Sequence, residues 1–194
     1  MSRPVDLEAE MQSALDAVTG RHLATLEKLG CKPAAIAAIG ANQAPFGVAK
    51  CDMRGVRFFE PTVEPYGIDA VVMPVIADGV MIDNIAWRTL APDAWLLRTG
   101  DGWVLGNDLI TSPSLWDGFR EITLHATPLD WLRAAGEGAV ILDWTAPEHI
   151  RKLAMFDVIH AVDIRVRQQL TDILIKPERM PKIIAGARHG SKAA

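Results

Sequence analysis

The chain has 194 residues, 49% of them hydrophobic and 23% charged, with a formal net charge of −4. That length allows one domain with a real core, and the composition excludes global disorder. The longest apolar runs, such as Val71 to Ile76, fall far short of the roughly 20 residues a membrane helix needs.

The opening MSRPVDLEAE puts acids where a secretory signal would place its apolar core. Cys31 and Cys51 are too far apart for a zinc ribbon or a redox CxxC pair. A cytoplasmic protein with no membrane association and reduced thiols is the expectation.

Asp6 to Gly30 reads as one helix or two close ones, because Leu7, Met11, Leu15, Val18, Leu23, Leu26 and Leu29 recur at three- and four-residue steps. Gly30 supplies a stop. Lys32 to Gly40 opens on Pro33 and runs Ala-Ala-Ile-Ala-Ala-Ile, a short packed helix. The first 40 residues hold four basic side chains against five acids, which argues against a helix-turn-helix DNA reader.

Val48 to Cys51 and Val56 to Phe59 are β-prone runs divided by Asp52-Met53-Arg54-Gly55, the pattern of a hairpin. Val71 to Ile76 is almost continuously apolar, and Pro74 in its middle requires an edge position or a bulge. Asp78-Gly79 is a strong two-residue turn into Val80 to Trp87. Leu90 to Asp93 makes a wider connection to Ala94 to Leu97, and Gly100-Asp101-Gly102 turns the chain into Trp103 to Leu105. Together these predict a meander over 46–106 of five or six strands, curled or partly closed.

From Glu121 the pattern changes. Ile122 to His125 predicts a strand, Pro128 to Ala135 a short helix, and Ala139 to Asp143 a second buried strand, a βαβ unit. Pro147 to Met155 predicts a helix capped by Thr145. Val158, Val162, Val166, Leu170 and Leu174 fall at four-residue steps and predict one longer helix. The expected fold is therefore α+β, with N-terminal helices, an antiparallel β-meander, and a C-terminal βαβ unit with helices. We expect one globular domain over 1–194, with a helical segment at 1–40, the βαβ unit and helices at 121–175, and a mobile tail at 183–194.

An apolar run, Asp-Gly and a second apolar run at Val72 to Gly79, followed by strand, short helix and buried strand ending in Asp over Ile122 to Trp144, resembles toprim-containing primase-type proteins of phages and plasmids. The resemblance covers a third to a half of the chain and implies a relative from mobile-element DNA, prophage-like in origin. Toprim chemistry uses a Glu after its first strand and an Asp-x-Asp pair after a later one to hold Mg²⁺. Here the first strand is followed by Ala126-Thr127-Pro128 and the second by Asp143-Trp144-Thr145, so the metal carboxylates are missing.

Motif reading points the same way. The five histidines lack metal-ligand spacing. There is no GxSxG elbow, P-loop or GxGxxG, and neither cysteine has a neighbouring His. No cofactor and no metal are expected. His125 reads as a core histidine, and His160 with Asp163 as a pair on the last helix. Six tryptophans, Trp87, Trp95, Trp103, Trp116, Trp131 and Trp144, serve either as core or as an aromatic platform for bases or a partner.

The candidate ligand site is the end of the second parallel strand, where Asp143, Trp144, His149 and Arg151 would converge. Residues 151–194 carry nine Lys and Arg against four Asp and Glu, while 1–150 carry eleven against twenty. Arg165, Arg167, Lys176, Arg179 and Lys182 are thus candidate nucleic-acid contacts. The leading expectation is a non-enzymatic binding protein for nucleic acid or a protein partner. The alternatives are a small-molecule or phosphoester enzyme using Asp143 with His125 or His149, and a homodimerising module built on the amphipathic N-terminal helix.

Overall fold

The computed structural model describes residues 5–41, 44–111, 119–174 and the backbone of 182–185. The N-terminal amphipathic stretch forms two helices, α1 (Leu7–Asp16) and α2 (Gly20–Lys28), followed by α3 (Pro33–Gly40). Asp6 starts α1 by accepting the Ala9 N–H at 3.0 Å. Gly30, at φ +89°, turns the chain after α2 in a conformation that favours glycine.

Five strands follow: β1 (Gly47–Arg54), β2 (Phe58–Pro61), β3 (Ile68–Ala77), β4 (Val80–Arg88) and β5 (Ala91–Leu97). They close into a barrel in the order β1-β2-β5-β4-β3, with β3 returning to β1. Asp78 (φ 51°) and Gly79 (φ 76°) make the two-residue turn predicted between β3 and β4. Pro74 faces Asn84 on β4, two residues beyond Val72, the last β3 residue paired with β1. A bulge between Val75 and Ile76 follows it, so the proline sits where the ladder is already interrupted.

Three expectations are corrected here. Strand β5 begins at Ala91, so the β4–β5 connection is the short Thr89-Leu90 turn and not a wide loop over 90–93. Trp103 to Leu105 yields only β6 (Val104–Leu105), which leaves the barrel and pairs antiparallel with β8 (Val140–Ile141). Closure adds a parallel contact to the meander, Phe58 of β2 beside Leu97 of β5.

After β6 come the short helix α4 (Asp108–Thr111), β7 (Glu121–Leu124), α5 (Pro128–Arg133), β8, α6 (Pro147–Ile150) and a 3₁₀ turn (Arg151–Met155). The predicted βαβ unit is present, with a parallel bridge from Leu124 to Ala139. The longer parallel partner of β7 is β9 (Val158–Ala161), which has β10 (Lys182–Ala185) on its other side.

The predicted single helix from Val158 is therefore wrong in its first turn. Val158-Ile159-His160-Ala161 pairs on both edges, and a parallel strand in that position is largely apolar, here with His160 as its one polar residue. The coincidental four-residue step to Val162 mimicked a helix. Helix α7 runs Ile164–Leu174. Residues 183–185, assigned to a mobile tail, lie in β10, and 186–194 are outside the described residues.

The packing explains why the barrel needs its helices. Ala70 and Val72 alternate with Val71 and Met73 along β3, so the two sets face opposite sides. The first set joins Cys51, Phe59 and Ala86 from three other strands with Met11 and Ala14 of α1, which places it in the bore with α1 across it. Part of the α1 face expected to mediate a dimer is thus occupied within the chain. The close approach is specific, since a Cβ on Gly47 would lie 2.6 Å from the Ala14 backbone. The second set, with Val75, Ile85 and Trp87, packs outside the barrel on Leu26, Ile39, Trp131 and Leu132. A further core unites β6, β7, β8 and β9 with α7.

Candidate functional site

Strand β8 runs out at Ile141, and the chain then carries Asp143 and Trp144 to the surface of the C-terminal unit. Asp143 Oδ2 receives Arg57 Nη2 at 2.7 Å. Asp143 Oδ1 accepts the Thr145 N–H at 2.8 Å and its hydroxyl at 2.6 Å. Arg57 Nη1 also donates to Thr145 Oγ1 at 3.1 Å. Both carboxylate oxygens are engaged in a clasp that ties the β1–β2 turn to the strand end. Burial opposes the charge on Asp143, but the hydrogen bonds from Thr145 and Arg57 outweigh it and hold the carboxyl below its ordinary range. Thr145, expected to cap α6, is spent on this clasp; the cap position is Ala146 and has no side-chain bond.

The other predicted members lie around the same segment without joining that carboxylate. Trp144 is half-buried against the C-terminal core. The His149 ring lies 5.6 Å from the Trp103 ring, tilted by 47°, and its buried Nδ1 has no hydrogen-bond partner among the described residues. Lys152 sits 5.7 Å over the Trp103 ring, and Arg151 is exposed. His125 ends β7 with Nε2 2.9 Å from the Glu137 carbonyl. Burial lowers its pKa, outweighing that bond and the nearby acids. No hydrogen bond joins Asp143 to His125 or His149 among the described residues.

Of the candidate nucleic-acid contacts, Arg165 and Arg167 are exposed on α7. Arg165 Nε lies 3.3 Å from Asp163 Oδ1, and Asp163 also accepts the Arg165 backbone N–H at 2.7 Å. Lys182 lies on β10 by its backbone, and Lys176 and Arg179 fall outside the described residues. His160 is on β9, not on a helix, and its Nε2 is 3.3 Å from Glu121 Oε2 on β7.

Among the described residues, the tryptophans pack in or against the cores. Trp87, Trp103 and Trp131 are buried, and Trp87 and Trp95 face each other across β4 and β5. Three indole N–H groups are satisfied inside: Trp87 donates to Met73 Sδ, Trp95 to the Leu142 carbonyl and Trp131 to the Gly138 carbonyl. Trp116 is outside the described residues.

The most densely bonded polar group was not foreseen. Asp83, on β4, is fully buried. Its Oδ1 accepts N–H groups of Asn84, Arg98 and Thr99 at 2.8, 3.0 and 2.9 Å. Its Oδ2 accepts those of Gly100 and Gly102 at 2.9 and 3.0 Å. One carboxylate thereby folds the whole loop that leads from the barrel into the C-terminal unit. Gly102 is required there, because a Cβ would come within 2.8 Å of Asp83 Cβ. The visible signal was Asp83-Asn84 interrupting an apolar strand, with Gly-Asp-Gly downstream to receive it.

Comparisons with protein-family models, with curated proteins and with solved structures find no match to this chain. Among the described residues, no three His, Cys, Asp or Glu side chains gather as a metal site would require. No helix among them is long and apolar enough to cross a membrane.

Proposed function

We propose that this protein acts by binding, and that it engages nucleic acid through its basic C-terminal segment, residues 151–194. The observation that carries the reading is the grouping of exposed cations there: Arg151 and Lys152 on the 3₁₀ turn, and Arg165 and Arg167 on α7, which packs against that turn. Such cations supply the counterion-releasing contacts on which nucleic-acid affinity depends. The single Arg165–Asp163 pair is exposed and screened, so a phosphate can compete for the guanidinium. The clasp on Asp143 adds support from the other side, since a carboxylate held by an Arg and a Thr is a poor general base.

The reading extends the toprim resemblance to a relative without metal chemistry. In that resemblance β7 is followed by His125, and the Asp-x-Asp position past the second strand, β8, is held by Asp143-Trp144-Thr145. A threonine then stands where the second acid of an Asp-x-Asp pair would be, and it donates to Asp143 instead of adding a second carboxylate for Mg²⁺.

Fluorescence anisotropy with labelled single-stranded and duplex DNA and RNA, titrated over a range of salt, tests the proposal. Affinity should fall as salt rises, and the double variant Arg165→Ala with Arg167→Ala should reduce the log–log salt slope by about 2. Absence of binding, or binding insensitive to salt, would favour a protein partner instead.

A further inference from the structure

A cleft of about 410 Å³ lies where the end of the barrel meets the C-terminal unit. That volume is within the range of small-molecule sites, about 300–1,000 Å³. Three segments line it: the end of β3 with Ile76, the passage from β6 into α4 with Asn107, Asp108 and Leu109, and the α5–β8 loop, where Gly136 and Gly138 flank Glu137. A Cβ on Gly106 would come within 2.5 Å of the Gly138 carbonyl, so the second and third of these abut as bare backbone.

Asn107 is the group in this cleft that the fold does not account for. It is only 4% exposed, and its Oδ1 is buried with no hydrogen-bond partner among the described residues. Helix α4 does not need the side chain, because the Asn107 backbone carbonyl accepts the Ile110 and Thr111 N–H groups at 2.8 and 3.0 Å. A buried acceptor without a donor is a cost that a ligand N–H removes. The charge around it has one sign. Asp108 and Glu137 are exposed; Asp108 Oδ1 accepts the Asp78 N–H at 3.1 Å, and neither carboxylate is in an ion pair among the described residues. No Lys, Arg or His among them lines the cleft.

We propose that this cleft binds a small aliphatic ammonium compound, with its NH₃⁺ group on Asn107 Oδ1, Asp108 and Glu137 and its chain against Ile76, Leu109 and Ala135. An ammonium has three N–H donors and no acceptor, and the three polar residues offer it three acceptors, two of them charged. Ile76, Leu109 and Ala135 are each only half-buried within the fold, which leaves apolar surface for the chain to cover. A hard metal ion fits less well, since it takes about six oxygens and no three acidic, His or Cys side chains gather among the described residues.

The test titrates butylammonium, butan-1-ol and ammonium ion into the full chain at neutral pH, where a primary amine is charged, and at constant ionic strength. Amide NMR spectra should show saturable shifts with butylammonium at the Asn107 side-chain amide and at the backbone amides of Gly106 and Gly138. Butan-1-ol, which lacks the charge, and ammonium ion, which lacks the chain, should each bind at least about tenfold more weakly. Asn107→Ala should weaken butylammonium about tenfold. Glu137→Gln alters an exposed side chain and should weaken it about threefold or more while the spectrum remains dispersed, so it decides the matter alone if Asn107→Ala fails to fold. The proposal is overturned if butylammonium gives no saturable shift at these residues. It is overturned equally if Glu137→Gln, or a folded Asn107→Ala, binds butylammonium as well as the parent, or if butan-1-ol or ammonium ion matches it.

Discussion

Replacing Asp83 by Asn changes one atom at the centre of five N–H donors. The amide keeps a single acceptor oxygen, which would turn toward the three donors now on Oδ1, leaving the Gly100 and Gly102 N–H groups facing an NH₂. One buried donor, Gly102, and one half-buried donor, Gly100, left unsatisfied cost about 1–3 kcal/mol each, and the three remaining bonds lose their charge assistance. A loss of about 4 kcal/mol is the expected total, a large share of the roughly 5–15 kcal/mol that holds a domain folded. Urea unfolding followed by tryptophan fluorescence measures it directly, with Trp103 adjoining the loop. Asp101→Asn in the same loop alters an exposed carboxylate and should shift stability by no more than about 0.5 kcal/mol. If Asp83→Asn costs less than about 1 kcal/mol, or no more than Asp101→Asn, the carboxylate does not organise the loop.

Asp143→Asn should lower stability at neutral pH by about 1–2 kcal/mol, because it weakens the bonds from Arg57 and Thr145. The folded carboxyl is held below its ordinary value of 3.8, so its contribution is complete above that value and is lost as pH falls through the lower folded one. Urea midpoints of parent and variant should therefore converge toward about pH 2, and a gap that persists there refutes the clasp. The thiols offer a third check. Burial foremost, then Asp52 and Glu10, push Cys51 up to about 12, and burial raises Cys31 as well. At pH 8 only about one Cys51 in 10⁴ is a thiolate, so a thiol reagent such as DTNB should react only as the chain unfolds. Rapid reaction of Cys51 in the native protein would mean that its environment is open.

The turn chemistry was the most legible part of the sequence. Asp78-Gly79 can adopt two successive positive φ angles, and Pro33 and Gly30 mark helix boundaries through restrictions of their own backbones. Barrel closure was less accessible, since it depends on Phe58 meeting Leu97, a pairing that no local pattern encodes. Val158 to Ala161 reads as helix because a largely buried strand paired on both edges shows no clear alternation, and its spacing runs in phase with the helix that follows. At the candidate site, Asp143 was singled out by its strand-end position, but Arg57, which neutralises it, comes from a hairpin 86 residues earlier in the chain. Asp83 escaped notice because its partners are backbone N–H groups, which every residue but proline possesses.

The closure of the barrel has a consequence for how the molecule comes apart. Between β2 and β5 the register holds only Phe58 beside Leu97, backed by the Leu97 N–H donating to the Arg57 carbonyl at 2.8 Å. Every other junction around the ring is a longer antiparallel ladder, so this seam is where the cylinder opens at least cost. Arg57 belongs to the seam through its backbone and to Asp143 through its guanidinium. Parting the staves there pulls the same residue away from the C-terminal unit, so the two halves loosen as one event. The amide of Leu97 and the hydroxyl of Thr145 are then reporters of a single opening.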